Sequence, residues 1–367
     1  MSSTRLIAVI GATGAQGIPV VRDLAQSGAY TIRALTRDAD SPRFKELQTY
    51  GPVEPVIGSF ASEESLRSLF KGAWGAYVNI DGFNAGEKTE LFWAIRTYEL
   101  ALEEGVRMFV YGNLEYTYKL AGYDPAYRIG HYDGKGRVGE WILFQNRENA
   151  VRHGMKAALF TTGPYIDMAI ADRSAMTPRV EEDGVLTWRL PLGDGAVPHI
   201  ALDDCGYYVK WLFDNPERAN GLDLQVAIAH ITYREMAEAF TKVTGKPARF
   251  VDTDPDTFFD KIWWVAPDGA AAYNADPQDP ATMTFRQNFG AFWHLWRNSG
   301  GNEGVIRRDY ALLDEIHPGR IRSAEEWFRK EDEKGRRMGL GGLWERVQHG
   351  SMKPILKNSE AGRVGSI

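Results

Sequence analysis

The 367-residue sequence predicts an α/β protein, a doubly wound parallel sheet followed by a smaller α/β C-terminal substrate domain. Three observations carry that prediction. A short apolar run, RLIAVI at 5–10, ends on a glycine-spaced loop, GATGAQG at 11–17, and passes straight into an amphipathic stretch. Short apolar runs then alternate with helical patterns as far as residue 162, the signature of βα units. Beyond 162 the alternation breaks, punctuated by Gly163-Pro164 and Pro178.

In chain order, the run at 5–10 reads as a buried parallel strand because it is apolar without alternation. Pro19 falls in the first turn of the next helix, where a missing N–H costs nothing. Strands follow at 30–36, 53–57, 76–80, 108–111 and 157–161. Helices are expected near 63–71, 87–104 and 138–153; the second repeats apolar residues at Leu91, Ala94, Ile95, Tyr98 and Leu102. After 162 come a strand at 187–190, a turn at Gly193-Asp194-Gly195 and helices at 203–213 and 232–244. A strand near 222–230 is expected to rejoin the main sheet, and 266–280 reads as a loop rich in Pro, Gly, Asp and Ala. The expected division is a cofactor-binding unit over 1–162, a smaller substrate-binding unit over 163–340 and a tail over 341–367.

Composition narrows the function. Lys and Arg number 43 against 49 Asp and Glu, a formal charge of −6 that gives no electrostatic case for nucleic-acid binding. No apolar run approaches the roughly 20 residues of a membrane span, and the first residues show no secretory h-region. The single cysteine, Cys205, precludes an internal disulfide, suits a reducing, cytoplasmic setting and reads as a buried, inert thiol. Seven histidines show no paired metal-ligand spacing, so no metal is expected, and there is no Gly-x-Ser-x-Gly elbow. Nothing in the sequence fixes an oligomeric state.

The glycine loop carries the strongest chemical signal. Glycines at 11, 14 and 17 remove Cβ atoms where the backbone must turn tightly and approach a pyrophosphate, and the helix that follows offers its N-terminus to the anion. The second strand ends at Thr36-Arg37-Asp38. An acidic residue at that end would accept from a ribose hydroxyl; a guanidinium instead pairs with a 2′-phosphate, so NADP(H) is the expected cofactor.

These segments resemble the NmrA-like family of atypical short-chain dehydrogenases. The matches are 11–17 (GATGAQG), Thr36-Arg37, 111–115 (YGNLE), 131–136 (HYDGKG), 193–204 (GDGAVPHIALDD) and 308–327 (RDYALLDEIHPGRIRSAEEW). The resemblance implies a Rossmann domain binding NADP(H), closed at the nicotinamide end by a smaller C-terminal domain. The cofactor residues it implies are Gly11, Thr13, Gly14, Ala15, Gln16, Gly17, Arg37, Asn79, Lys135 and Tyr165. The family holds both reductases of specialised metabolism and NADPH sensors without turnover.

Three residues are candidates for chemistry. The Tyr-x-x-x-Lys pair of ordinary short-chain dehydrogenases is absent near the fifth strand; its nearest analogue is His131-Tyr132-Asp133-Gly134-Lys135. Lys135 is therefore a candidate to supply a proton or stabilise developing charge. Asp81 and Glu115 follow the ends of two strands, where such sheets meet their ligands, and are candidate acids or bases. Asn113 could orient a substrate by hydrogen bonds. The aromatic surplus lies later: Phe258, Phe259, Trp263, Trp264, Phe285, Phe289, Phe292, Trp293 and Trp296. Spacing of i,i+4 puts the last of these on one helix face, as core packing or as the roof of a pocket for a large, flat substrate. The expected function is an NADP(H)-dependent oxidoreductase acting on a bulky apolar or aromatic carbonyl, imine or activated alkene. The alternatives are a redox-neutral isomerase that uses NADP(H) structurally, and a non-catalytic NADPH sensor.

Overall fold

Short apolar strands buried on both faces build the first half. A computed structural model describes residues 4–262, 264–352 and 355; Trp263 and most of the expected tail (353–354 and 356–367) lie outside the described residues. The first half runs β1 (Arg5–Ile10), α1 (Gly17–Gln26), β2 (Tyr30–Thr36), α2 (Pro42–Gln48), β3 (Val53–Ile57), α3 (Glu63–Phe70), β4 (Gly75–Val78), α4 (Gly82–Ala85), α5 (Glu87–Glu103), β5 (Met108–Asn113), α6 (Thr117–Leu120), α7 (Gly130–Arg152) and β6 (Lys156–Thr161). The second half adds β7 (Arg179–Val180), β8 (Leu186–Leu190), β9 (Ala196–His199), α8 (Leu202–Asp214), α9 (Pro216–Ala219), β10 (Asp223–Gln225), β11 (Ala229–Thr232), α10 (Tyr233–Thr244), β12 (Ala248–Asp252), α11 (Pro255–Asp260), α12 (Phe285–Arg297), α13 (Tyr310–Ile316), α14 (Ala324–Arg337) and α15 (Leu343–Gln348).

The central sheet has seven strands in the order β10-β6-β5-β4-β1-β2-β3, every pairing parallel. Strand β1 shows why its sequence is continuously apolar. Ile7 and Val9 face a core shared with Val20 and Leu24 of α1 and Val209 of α8. Ala8 and Ile10 face the opposite core, with Leu66 of α3, Tyr98 of α5 and Val138 of α7. This is the expected doubly wound α/β fold.

A third core lies wholly outside the sheet and contains Trp188, Phe240, Trp296 and Phe328. It is framed by two small sheets, β12-β8-β7 and β11-β9. Side chains of Thr232 and Thr284 start α10 and α12 as reciprocal capping boxes with Glu235 and Gln287.

Three boundaries differ from expectation. The strand expected over 222–230 splits: β10 alone joins the central sheet, while β11 pairs antiparallel with β9. The helix expected from 138 begins at Gly130. Four of its first ten residues are glycine, which discourages a helix on propensity alone. Here they are needed for close approach: a Cβ on Gly136 would sit 2.3 Å from the Tyr116 nitrogen, and one on Gly139 2.7 Å from Asn113 Oδ1. Finally, the segment from 341 does not start as a tail, because it forms α15 and buries Leu343 completely in the third core.

One buried cation ties the sheet to the later chain. Arg308, only 4% exposed, donates from Nε to the Val226 carbonyl (3.1 Å) and from Nη2 to the Thr162 carbonyl (3.2 Å). The same Nη2 lies 2.6 Å from Glu115 Oε1. Glu115 is itself buried. Burial pushes its carboxyl upward, and the guanidinium opposes that rise. Removing one partner of such a pair strands the other charge. Arg308→Met should therefore cost about 3–5 kcal/mol in urea unfolding. Adding Glu115→Gln should restore part of that loss; a double variant as unstable as the sum of its singles would contradict the pairing.

Candidate functional site

A cleft of about 480 Å³ runs along the carboxyl ends of β1, β4, β5 and β6, the edge where parallel sheets meet ligands. At one end stands the glycine loop. Gly11 has φ +81°, a left-handed conformation that β-carbons disfavour, and a Cβ there would lie 2.4 Å from the Asn79 carbonyl oxygen. A Cβ on Gly17 would lie 2.0 Å from the Gly11 carbonyl oxygen. The loop is thus drawn against β4 and curls over the start of α1, whose first turn carries no acidic residue. This cradle, with its helix N-terminus, fits a dinucleotide pyrophosphate.

Gly11, Thr13, Gly14, Ala15 and Gln16 line the cleft, as do Arg37, Asn79, Lys135 and Tyr165. Gly17 does not; it permits the loop's packing from behind. The Gln16 side chain is turned inward as a brace. Its Oε1 accepts from the Tyr77 hydroxyl and from Asn79 Nδ2 (2.9 Å), and its Nε2 donates to Thr162 Oγ1 (3.3 Å). The residues beyond β2 and β3, including Arg37, Ser59 and Phe60, close the far end.

At the bend of the cleft sits a compact charge cluster. Lys135 Nζ donates to the Ile80 carbonyl (2.7 Å) and to Asn79 Oδ1 (3.2 Å), and lies 2.7 Å from Glu90 Oε1. Three acceptors engage an ammonium that has three donors. Lys135 therefore fixes the turn after β4 and brings a positive charge to the cleft wall. Glu90 is fully buried. Burial pushes its carboxyl upward while Lys135 opposes the rise. Gly82 makes room for it, since a Cβ there would lie 2.1 Å from Glu90 Oε2.

The three catalytic candidates separate. Lys135 and Asp81 line the cleft. Asp81 also caps α4, accepting from the Asn84 N–H (3.2 Å). Its place among crowded cleft walls pushes its carboxyl upward, against that N–H and Lys135, although it stays open to solvent. Glu115 does not line the cleft. Its carboxylate is turned into the interior against Arg308, so the structure removes it from the candidate acids and bases. Asn113 lines the cleft but spends its Nδ2 on Thr161 Oγ1 (2.9 Å).

The other half of the cleft is aromatic. Five α12 rings, Phe285, Phe289, Phe292, Trp293 and Trp296, belong to the third core, and the first three of them also line the cleft. Phe258 and Phe259 also belong to that core. Phe285 and Phe289 stack at 4.2 Å. Trp264, Val265, Ala270, Ala271 and Tyr273 approach from the segment leading to α12. Main-chain bonds clip that segment to α4: Tyr273 N donates to the Phe83 carbonyl (2.9 Å) and Asn274 N to the Asn84 carbonyl (3.0 Å). Sequence inspection missed Glu90, Phe83 and Asn288. Glu90 was findable, because it sits one turn before Ala94 on the buried face of α5.

Comparison with known proteins agrees with this architecture. The model of the NmrA-like family matches residues 3–274. An NmrA-like family domain-containing oxidoreductase, FrzB of Cladobotryum sp, is 30% identical over 275 residues, which cover 67% of this chain and 76% of that protein. The crystal structure of NmrA, a negative transcriptional regulator in complex with NADP, superposes with a TM-score of 0.69 at 16% identity, covering 93% of this chain and 99% of that one. The Citrobacter sp. triphenylmethane reductase complexed with NADP(H) superposes with a TM-score of 0.62 at 16% identity, covering 89% and 99%. The chain belongs to the NmrA-like family.

The glycine cradle yields a paired test. Gly11→Ala should weaken NADPH binding at least about tenfold in a fluorescence titration, since the added carbon displaces Asn79. Gly28→Ala, at a similar φ of +70° with nothing within 4 Å, should leave binding unchanged.

Proposed function

We propose that this member of the NmrA-like family is an NADP(H)-dependent oxidoreductase whose substrate is a bulky, apolar or aromatic small molecule. The observation that carries this is continuity. One cleft joins a dinucleotide cradle to an aromatic wall, with Lys135 and Asp81 at the junction. A bound nicotinamide cofactor would supply hydride chemistry; the chain supplies position and charge. The glycine loop and the N-terminus of α1 would hold the pyrophosphate. Arg37, at the end of β2, would take the 2′-phosphate in a fork geometry.

At the junction, Asn79 and Tyr165 would flank the nicotinamide half. Lys135, tied to Glu90, would stabilise negative charge growing on a substrate atom without donating a proton itself. Asp81 is the candidate carboxyl that lines the cleft beside Lys135, where it would take or give a proton at a bound substrate. The rings of Phe285, Phe289 and Phe292 would bury the substrate's flat faces. Carbonyl, imine and activated alkene are the groups such a site would reduce. The likeness to FrzB, an oxidoreductase, supports turnover over sensing. A single, buried thiol supports a cytoplasmic setting.

Two measurements test the proposal. Purified protein with NADPH should consume nicotinamide absorbance on members of a panel of aromatic ketones, imines and quinones. No turnover across that panel, with cofactor-dependent self-association or partner binding, would replace it with a sensor. For the cofactor, Arg37→Ala should weaken NADPH about 10- to 100-fold and leave NADH nearly unchanged. Equal losses would overturn the assignment of the 2′-phosphate.

A further inference from the structure

One nitrogen base in the cleft wall has no part in the chemistry set out above. His131 stands in the first turn of α7, one turn before Lys135, and lines the cleft. Two phenyl rings, themselves 6.3 Å apart, adjoin its ring on neighbouring sides: Phe83 with centroids 4.8 Å away and Phe289 with centroids 5.4 Å away and planes at 24°. The imidazole makes its polar contacts at its edge, through the two ring nitrogens.

One side of that edge is already occupied. Asn288 of α12 is 1% exposed and sits directly against it. The backbone N–H of His131 donates to Asn288 Oδ1 (3.4 Å), and Asn288 Nδ2 lies 2.8 Å from His131 Nδ1. Asn288 Oδ1 is also near that ring nitrogen, at 3.0 Å. The backbone N–H can only donate and takes one lone pair of the amide oxygen, while the amide NH2 makes the shorter approach to Nδ1, the arrangement the proposal below adopts. Nδ1 then accepts, and in the neutral ring the proton resides on Nε2. Burial pushes the imidazole pKa down to about 4, and the Lys135 charge adds to the fall. The ring is neutral at physiological pH, an N–H donor with an apolar collar. Among the described residues, no partner is recorded for Nε2.

We propose that His131 is the hydrogen-bond donor that selects and holds the accepting atom of a flat aromatic substrate, a carbonyl oxygen or imine nitrogen, and that Asn288 is the positioning residue that fixes its tautomer. This rests on the cleft being a substrate site, as set out under the proposed function. In ketone reduction a bound reduced nicotinamide would supply hydride to the carbonyl carbon, the π pair would move to oxygen, and the proton that completes the alcohol would come by way of Asp81. Nε2–H steadies the oxygen as charge grows there and keeps its own proton, since neutral imidazole is too weak an acid to give it up. Phe83 and Phe289, which adjoin the donor, also extend the apolar wall, so ring stacking and acceptor recognition are built from neighbouring side chains.

The test uses two isosteric probes, 2-acetonaphthone and 2-isopropenylnaphthalene, which differ in C=O against C=CH2. Each is titrated into full-length protein saturated with NADP⁺, so that no hydride can move. Wild type should prefer the ketone by about five- to tenfold, the worth of one sheltered hydrogen bond. His131→Phe, which keeps the aromatic stack, should bind both probes within about twofold of the wild-type hydrocarbon affinity. Asn288→Asp should abolish the preference with the ring still in place, because a carboxylate draws the proton to Nδ1 and leaves Nε2 bare. Imidazole ¹⁵N shifts at neutral pH should report protonation on Nε2 in wild type and on Nδ1 in Asn288→Asp. A ketone preference that survives His131→Phe, or a wild-type proton on Nδ1, would overturn the proposal while leaving an aromatic-substrate site standing. Failure of wild type to bind either probe would overturn both.

Discussion

The cleft keeps its shape because a guanidinium has been taken out of water and given acceptors in return. Arg308 belongs to the chain beyond the aromatic helix, yet it bonds the Thr162 carbonyl at the end of β6, the Val226 carbonyl after β10 and the carboxylate of Glu115 after β5. Those three points belong to neighbouring parts of the ligand-facing edge of the sheet. Desolvating both charges is expensive, and only good geometry with several acceptors offsets it. Arg308 therefore ties the later chain to the ligand-facing edge of the sheet, and Arg320, equally buried, reinforces it through the Ala227 and Ile228 carbonyls.

A second ion pair gives the site its electrostatic character. Lys135 and Glu90 largely cancel each other, so the junction is polar without strong net charge, and Asp81 is left facing the cleft. An ammonium bonded to two oxygens of the β4 turn and paired with a buried carboxylate is held rigidly. Rigidity of this kind spares reorganisation when charge develops on a bound molecule. It also separates roles that composition alone would merge: of the conspicuous carboxylates, Glu115 and Glu90 are braces, and Asp81 alone lines the cleft.

The fold was legible where its signals were local. Continuous apolar runs such as RLIAVI mark strands buried on both faces, and the glycine spacing at 11, 14 and 17 marks a turn that no β-carbon would fit. The start of α7 was not legible, since Gly130, Gly134, Gly136 and Gly139 weaken helix propensity, and the tertiary contacts with Tyr116 and Asn113 that explain Gly136 and Gly139 carry no local signal. The fate of Glu115 was hidden for a similar reason: its partner lies 193 positions away in sequence, beyond any local pattern. The aromatic stripe was legible as a stripe, but which of its rings also line the cleft depends on how α12 is rotated against the third core. His131 stood in a motif singled out by spacing to Lys135, while Asn288, which orients it, carried no signal at all.

The segment that covers the aromatic end is fastened to α4 by main-chain groups, Tyr273 N to the Phe83 carbonyl and Asn274 N to the Asn84 carbonyl. Main-chain bonds of this kind place little demand on which side chains the segment carries. Ala271 and Tyr273 can therefore be exchanged at small cost to its attachment, while each exchange redraws the surface a ligand meets; Trp264 and Val265 also pack against the third core and are less free. Selection on the outer part of this stretch is thus only loosely coupled to selection on foldability. A descendant gene could acquire a new chemical diet by rewriting some twenty codons there and leaving the catalytic frame untouched.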